Sequence, residues 1–140
     1  MRGAGVQYVG SVGRVERARL MGKACALIQP TVFMEPFGGN VVEAAMCGTP
    51  AITTDYAAFS ETVRHGVTGY RCHTLEQFVW AARAVRDLDS AEIRRIAVAN
   101  YSMDRVALMY QKYFEMLSGL WGQGWPELKS RTKLDWLQKT

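Results

Sequence analysis

The run of residues 29–55, QPTVFMEPFGGNVVEAAMCGTPAITTD, constrains the fold of this chain more than any other stretch. It begins at the end of an apolar segment, residues 24–29, which is too short for a helix and is typical of a buried strand. After a turn that contains a proline and two glycines, apolar and small residues resume at helical spacing over residues 41–47. A Gly-Thr-Pro sequence then ends the helix, and residues 51–54 indicate another strand. The run therefore predicts a βαβ unit.

The glycine-rich turn has a chemical consequence. The first amides of a helix have no intrahelical partners and carry a partial positive charge, so they form a ready anion site. Glu35 and Glu43 bracket this turn with seven residues between them. Acids beside an anion site suggest that they bind sugar hydroxyls. A structural alternative stays open, because Asn40 with Glu43 has the spacing of a capping box and Glu35 in a loop is ordinarily a solvated charge.

Several motifs in sequence order carry a specific resemblance. The set resembles the Glu-x7-Glu motif and flanking motifs of retaining glycosyltransferases with two Rossmann-like domains (the GT-B fold), of the glycogen synthase and group 1 type. The resemblance covers roughly residues 6–118. The matching segments are Glu35 to Gly39, Glu43 to Ala45, Gly48 to Pro50, Ser60 with Glu61, His65 to Tyr70, and Tyr8 to Gly10.

The resemblance implies a function and a set of site residues. It implies the donor-binding domain of an enzyme that transfers a sugar, with retention, from a nucleotide-diphosphate sugar, without a metal or a further cofactor. Glu35 would approach the transferred hexose, as the catalytic residue, and Glu43 would take the ribose hydroxyls. The turn that contains Ser11 and Val12 would lie near the nucleotide base. The amides that would approach the diphosphate and sugar belong to Phe37, Gly38, Gly39 and Asn40.

The chain also departs from the family pattern. The family's diphosphate-binding Arg and Lys, and the N-terminal domain that supplies most of its acceptor site, precede the strand that resembles residues 6–9. We therefore expect a partial, truncated domain, and a second hypothesis stands beside the enzyme: a non-catalytic module that oligomerises or pairs with a separate subunit. In the family's sheet order two strands separate residues 6–9 from residues 24–29. Either residues 6–9 pair directly with residues 24–29, or an open edge remains. Such an edge, together with uncovered apolar surface on the last helix, predicts a homodimer, or a partner that supplies the N-terminal domain.

The remaining patterns predict an α/β fold, a Rossmann-like parallel sheet with helices on both faces. They indicate a short strand at residues 6–9, a basic helix at 14–24, a single helical turn at 61–64 and a strand at 70–72. A capping box, Thr74 with Gln77, begins a helix whose apolar face comprises Phe78, Val79, Ala82 and Val85. Ser90 would cap a helix with three inward residues, which are Ile93, Ile96 and Ala97.

A last helix, residues 103–118, carries the strongest periodic pattern, and its aromatic stripe is typical of a core or an interface. We define the stripe as Val106, Met109, Tyr110, Tyr113, Phe114 and Leu117. This helix closes the predicted domain, residues 1–118. Residues 119–140 form a tail whose three tryptophans we expect to dock on this chain or on another one. They are Trp121, Trp125 and Trp136.

Composition and net charge argue for some classes of function and against others. The net charge of +4 and pI near 9.1 come without an aromatic-basic motif, so we do not expect nucleic-acid binding. The positive charge suits an anionic nucleotide, or a peripheral contact with an anionic membrane face. Three widely spaced cysteines fit neither a zinc site nor a disulfide framework, and His65 and His73 read as polar loop residues. With no secretion signal or spanning segment recognisable, we expect a cytoplasmic location.

Overall fold

The computed structural model describes residues 5–123 of the chain. Two compact units can be distinguished, Met1–Arg94 and Arg95–Thr140. The predicted division at residue 118 stays a prediction, although the last helix continues through that position to Gln123. Trp125 and Trp136 of the predicted tail lie outside the described residues.

The first unit is built on three parallel strands, β1 (Leu27–Gln29), β2 (Ala51–Thr54) and β3 (Gly69–Cys72). Their order in the sheet is β1-β2-β3, and their register aligns Ile28, Ile52 and Tyr70 across the three strands. All three strands were predicted, β2 with its observed bounds. The first strand begins three residues later than predicted, and the third begins one residue earlier.

Six helices complete the described part of the chain. The crossover from β1 to β2 contains the second of them, which confirms the predicted βαβ unit. A short 3-10 turn, Val85–Asp87, follows the fourth helix. The helices are α1 (Arg14–Lys23), α2 (Gly39–Met46), α3 (Phe59–Thr62), α4 (Leu75–Ala84), α5 (Ser90–Tyr101) and α6 (Met103–Gln123).

The sheet of the first unit is covered on both faces. Neighbouring residues of a strand point to opposite faces, so Ala51 and Ile52 of β2 lie in different clusters. Ala51 packs with Val41 of α2 and with Phe59 at the start of α3. Ile52 packs on the other face with Ala81 of α4. The predicted fold class, a Rossmann-like parallel sheet with helices on both faces, is therefore confirmed.

The second cluster includes Cys72, and all three cysteines of the chain are free thiols. Burial raises the pKa of the Cys72 thiol, and the negative charge of Asp55 raises it further. A thiol with a raised pKa stays protonated at neutral pH and is a poor nucleophile. Cys72 is therefore a small apolar residue of the core.

The predicted strand at residues 6–9 is wrong. These residues form no strand, and Val6, Tyr8 and Val9 are exposed. A strand is stable only when its backbone groups pair with a neighbouring strand and its apolar side chains find a surface to cover. Within the described residues β1 pairs with β2 alone, so residues 6–9 do not close the edge of the sheet.

The predicted apolar face of α4 is wrong in two of its four residues. Phe78 and Val85 face the core as predicted, but Val79 and Ala82 are exposed. Ala81 lies on the inner face of the helix instead, and Leu88, which follows the 3-10 turn, packs against the same cluster. The observed set recurs at intervals of three and four residues, whereas the predicted set included the neighbours of that series.

Two predicted caps were partly wrong. Asp89, not Ser90, caps α5, because its Oδ1 accepts hydrogen bonds from the amides of Ala91 and Glu92, at 2.8 and 3.3 Å. At the start of α4, Thr74 Oγ1 accepts from the amide of Gln77 at 3.4 Å, as predicted. The Gln77 side chain accepts from the amide of His73 at 2.6 Å, one residue earlier than a capping box requires.

The α5 residues predicted to face inward are buried, which confirms that assignment for Ile93, Ile96 and Ala97. The aromatic stripe of α6 is different. Tyr110 and Phe114, which stack with their ring centroids 6.1 Å apart, are each 59% exposed. Within the described residues the aromatic members of the stripe are therefore not part of a core, whereas Val106 and Met109 are partly buried. No helix in residues 5–123 is long and apolar enough to cross a membrane.

Candidate functional site

The loop after β1 carries the predicted site residues to the carboxyl edge of the sheet. Two hydrogen bonds hold this loop against the end of β2 and the segment that follows it. The Thr54 hydroxyl donates to the carbonyl oxygen of Thr31 at 2.7 Å, and the amide of Ala58 donates to that of Glu35 at 3.2 Å. Ligands of open parallel sheets bind beyond the carboxyl ends of the strands. The loop is therefore at the position in the fold where a ligand is expected.

Gly38 makes the turn into α2 and is the N-cap of that helix. Its φ of 76° is in the left-handed region, and a Cβ at this position would lie 2.9 Å from Cε1 of the buried Phe59. Glycine satisfies both the backbone conformation and the close approach. The first i to i−4 bond of α2 runs from the amide of Val42 to the carbonyl of Gly38. The amides of Gly39 and Asn40 precede that bond, as expected at a helix start.

Glu35 lies on the turn rather than in solvent. Its Oε1 accepts from the amide of Gly38 at 3.0 Å and from the amide of Phe37 at 3.4 Å. The solvated-charge interpretation is therefore wrong. The structure brings Glu35 together with two of the four predicted donor-binding amides, and the carboxylate itself satisfies them. An anionic ligand at this turn has to share or replace those bonds.

Glu43 is bound by a residue that the sequence analysis did not single out. Arg17 of α1 approaches it with two nitrogens, Nε at 2.7 Å from Oε2 and Nη2 at 2.9 Å from Oε1. The capping-box alternative for Asn40 and Glu43 is wrong, because Gly38 is the N-cap and no side chain caps the helix. Two charge-assisted bonds to a guanidinium are stronger than one to a backbone amide. The basic character of α1 was the available signal for Arg17.

Ser11 and Val12 lie immediately before α1, the helix that carries Arg17. The carbonyl of Gly13 accepts from the amide of Arg17 at 2.9 Å, which begins that helix. The predicted nearness of Ser11 and Val12 to a nucleotide base stays a prediction.

A second polar cluster, also missed by the sequence analysis, lies at the carboxyl ends of β2 and β3. Asp55 pairs with Arg71 at 3.3 Å and with His73 at 3.4 Å. Arg71 also donates to the carbonyl of Ser60 at 3.1 Å. Asp55 and His73 directly follow the last residues of their strands. Polar residues at that position, where the ligands of parallel sheets bind, were the signal that could have found the cluster.

The motif from His65 to Tyr70 has a structural explanation. His65 Nδ1 accepts from the amide of Arg71 at 3.1 Å, which agrees with its interpretation as a polar loop residue. The hydroxyl of Thr68 accepts from the amide of Arg64 at 2.9 Å, and the amide of Gly66 donates to the carbonyl of Gly69 at 2.8 Å. These bonds fix the turn that leads into β3. Across residues 5–123, no three His, Cys, Asp or Glu side chains converge as a metal site requires.

A parallel sheet covered on both faces, with a glycine turn and a helix start at its carboxyl edge, defines a Rossmann-like domain. Comparison with known proteins gives the particular family. The family model described as "Glycosyl transferases group 1" matches residues 2–101. The chain belongs to this family.

Curated relatives agree with that assignment. A glycogen synthase of Mycobacterium tuberculosis is 34% identical over 95 residues, which are 66% of this chain and 23% of the relative. Sucrose synthase 2 of Zea mays is 41% identical over 63 residues, 42% of this chain and 8% of the relative. An N-acetyl-alpha-D-glucosaminyl L-malate synthase of Bacillus anthracis is 36% identical over 61 residues, 44% of this chain and 16% of the relative. The matched regions therefore span less than a quarter of these relatives.

Proposed function

We propose that this chain binds a nucleotide-diphosphate sugar and takes part in transferring its sugar, with retention, to an acceptor. The observation that carries the proposal is the position of both acids of the Glu-x7-Glu motif. Glu35 contacts the turn at the start of α2, and Glu43 lies one helical turn beyond Gly39, at the carboxyl edge of the sheet. Membership in the group 1 family supports a glycosyl donor as the ligand. The proposal requires no metal and no cofactor besides the donor.

Each residue of the proposed site binds a different part of the donor. Glu35 takes hydroxyls of the transferred hexose, and Glu43 takes the ribose hydroxyls. The amides of the turn, from Phe37 through Asn40, approach the diphosphate, where the positive end of α2 stabilises the charge that develops on the leaving group. Glu35 must leave the amides of Phe37 and Gly38 as the diphosphate arrives, and it is then released toward the sugar. The segment with Ser11 and Val12 lies near the base.

A donor panel tests the proposal. The purified chain is incubated with UDP-glucose, UDP-N-acetylglucosamine, ADP-glucose and GDP-mannose, and thermal unfolding and donor hydrolysis are followed. We expect one donor to raise the unfolding temperature above the values for the others, because a ligand that binds only the folded state stabilises it. Glucose 1-phosphate and inorganic diphosphate serve as controls for binding without a nucleoside. No shift with any donor would contradict the proposal and favour the non-catalytic module.

We also propose that the aromatic stripe of α6 is an interface between two copies of the chain. Tyr113 and Leu117, like Tyr110 and Phe114, are exposed to water. Apolar patches of this kind are costly to leave uncovered and mark protein interaction sites. Two copies can cover the stripe symmetrically, as in most homo-oligomers. A separate subunit that supplies an N-terminal domain is the alternative occupant.

Light scattering on the eluting protein decides between one copy and two. We expect a dimer at micromolar concentration that Phe114→Lys converts to a monomer, because a charge in a buried apolar interface is unpaired. Leu108→Lys is the matched control. Leu108 is 55% exposed on the same helix, and the helical repeat places it opposite the stripe. A monomer for the unchanged chain, or equal effects of both variants, would contradict a homodimer through this stripe.

A further inference from the structure

We propose that Arg17 of α1 is a positioning residue for the ribose subsite, holding the Glu43 carboxylate so that it can accept the hydroxyls of a nucleotide ribose. The inference rests on the proposed function of Glu43. The geometry of the pair carries it. Two nitrogens of one guanidinium contact the two carboxylate oxygens at 2.7 and 2.9 Å, so the plane of the carboxylate is fixed by two bonds instead of one.

The pair leaves Glu43 with capacity for a ligand. A carboxylate offers about four acceptor positions, and the guanidinium occupies two of them. The Glu43 side chain is 45% exposed, so solvent reaches the carboxylate that Arg17 holds from the other side. Two neighbouring hydroxyls of a ribose match the two positions that remain. Without Arg17 the carboxylate could rotate freely, and a ligand would have to order it on binding, at a cost in affinity.

Arg17 also offsets the negative charge that Glu43 brings close to the proposed diphosphate site. Glu43 lies one helical turn from the amides that are proposed to receive a diphosphate. An unpaired carboxylate at that distance would repel the phosphates and offset the positive end of the helix. The ion pair offsets the charge of Glu43 and leaves two of its four acceptor positions open. A basic partner on α1 is therefore compatible with both the ribose and the diphosphate.

The same helix supplies a matched control. Arg19 pairs with Glu16 at 2.6 Å, three residues away on α1, and both side chains are about half exposed. Within the described residues Arg19 and Glu16 bind each other through two hydrogen bonds on α1, and exposed pairs of this spacing contribute little to stability. Another hydrogen bond joins α1 to the segment that follows α2. Thr49 donates its hydroxyl to the carbonyl of Met21 at 2.6 Å. The packing of α1 therefore does not depend on Arg17 alone.

The test compares nucleotides that differ in one ribose hydroxyl. Dissociation constants are measured by calorimetry for UDP, ADP and GDP and for their 2′-deoxy counterparts, on the unchanged chain and on Arg17→Met, Arg17→Lys and Arg19→Met. For the unchanged chain we expect the preferred ribonucleotide to bind roughly 10- to 100-fold more tightly than its deoxy form. This ratio of dissociation constants corresponds to the free energy of about one hydrogen bond to a charged group. In Arg17→Met the ratio of the two dissociation constants should fall to about threefold or less.

The other variants complete the design. Arg17→Lys keeps the charge and loses the second nitrogen, so we expect a ratio between those of the unchanged chain and Arg17→Met. Arg19→Met should keep the full ratio. A full ratio in Arg17→Met or, if that variant does not fold, in Arg17→Lys would overturn the role of Arg17 while leaving Glu43 as the ribose ligand. A ratio near one in the unchanged chain would instead refute the ribose assignment of Glu43, and the inference would fall with it.

Discussion

Gly69→Ala is expected to unfold the first unit or to lower its unfolding free energy by more than about 4 kcal/mol. Losses of this size are exceptional for single substitutions and accompany severe packing defects. Gly69 begins β3 and lies beside Ala51 of β2 in the register of the sheet. A Cβ on Gly69 would lie 2.0 Å from the carbonyl oxygen of Ala51 and 2.9 Å from its carbonyl carbon and its nitrogen. Backbone cannot rotate away as a side chain can. The two strands must separate, and their hydrogen bonds are lost.

Gly66→Ala, in the same turn, is the matched control. Gly66 has a φ of 78°, but a Cβ there would have open space around it. Only the cost of the left-handed conformation remains, roughly 1–2 kcal/mol. Urea unfolding followed by circular dichroism measures both variants. If Gly69→Ala were no more destabilised than Gly66→Ala, the close contact between Gly69 and Ala51 would be contradicted.

Glu35→Gln is expected to weaken binding of the sugar-bearing donor roughly 10- to 100-fold without weakening binding of the bare nucleoside diphosphate. The amide oxygen of glutamine can still accept from the amides of Gly38 and Phe37, so the turn keeps its cap. What disappears is the charge on the oxygens that accept the hexose hydroxyls, and with it the stronger, charge-assisted bonds. Calorimetric titration with the donor and with its nucleoside diphosphate gives both affinities.

Two other acids serve as controls for Glu35→Gln. Glu43→Gln should weaken the donor and the bare nucleotide by the same factor, because both contain the ribose. Glu16→Gln removes an exposed carboxylate of α1 that pairs with Arg19 and should leave both affinities unchanged. Equal losses of donor and nucleotide in Glu35→Gln would contradict the division of roles between the two acids.

The βαβ unit was predictable because its signals are local. Alternation of short apolar runs with a glycine turn and a helical repeat places β1, α2 and β2, and burial of Val41, Ala51 and Ile52 follows from those patterns. The strand proposed at residues 6–9 failed for a reason that lies outside its own sequence. Whether an apolar segment becomes a strand depends on a neighbour to pair with, and the composition of the segment does not report that neighbour.

The site was predicted at the level of its two acids but not of their partners. Spacing identified Glu35 and Glu43, yet it left a capping box open for Glu43 and a solvated charge open for Glu35. Ion pairs such as Arg17 with Glu43, 26 residues apart, depend on how α1 packs beside α2. The Asp55 cluster likewise joins two strands through their register. Such pairs depend on how the helices and strands pack together, and local patterns in a single sequence do not reveal that packing.

Within residues 5–123 β1 is an edge strand, and this position sets the order in which backbone amides of the sheet exchange with deuterium. The amide of Leu27 donates to the carbonyl of Pro50, on the β2 side. Because successive amides along a strand alternate in direction, the amide of Ile28 points away from β2, and its residue is 56% exposed. β2 lies between two strands, and Ile52 is fully buried. Exchange at Ile28 therefore reports local fraying of one edge, whereas exchange at Ile52 requires the whole unit to open and reports its global stability.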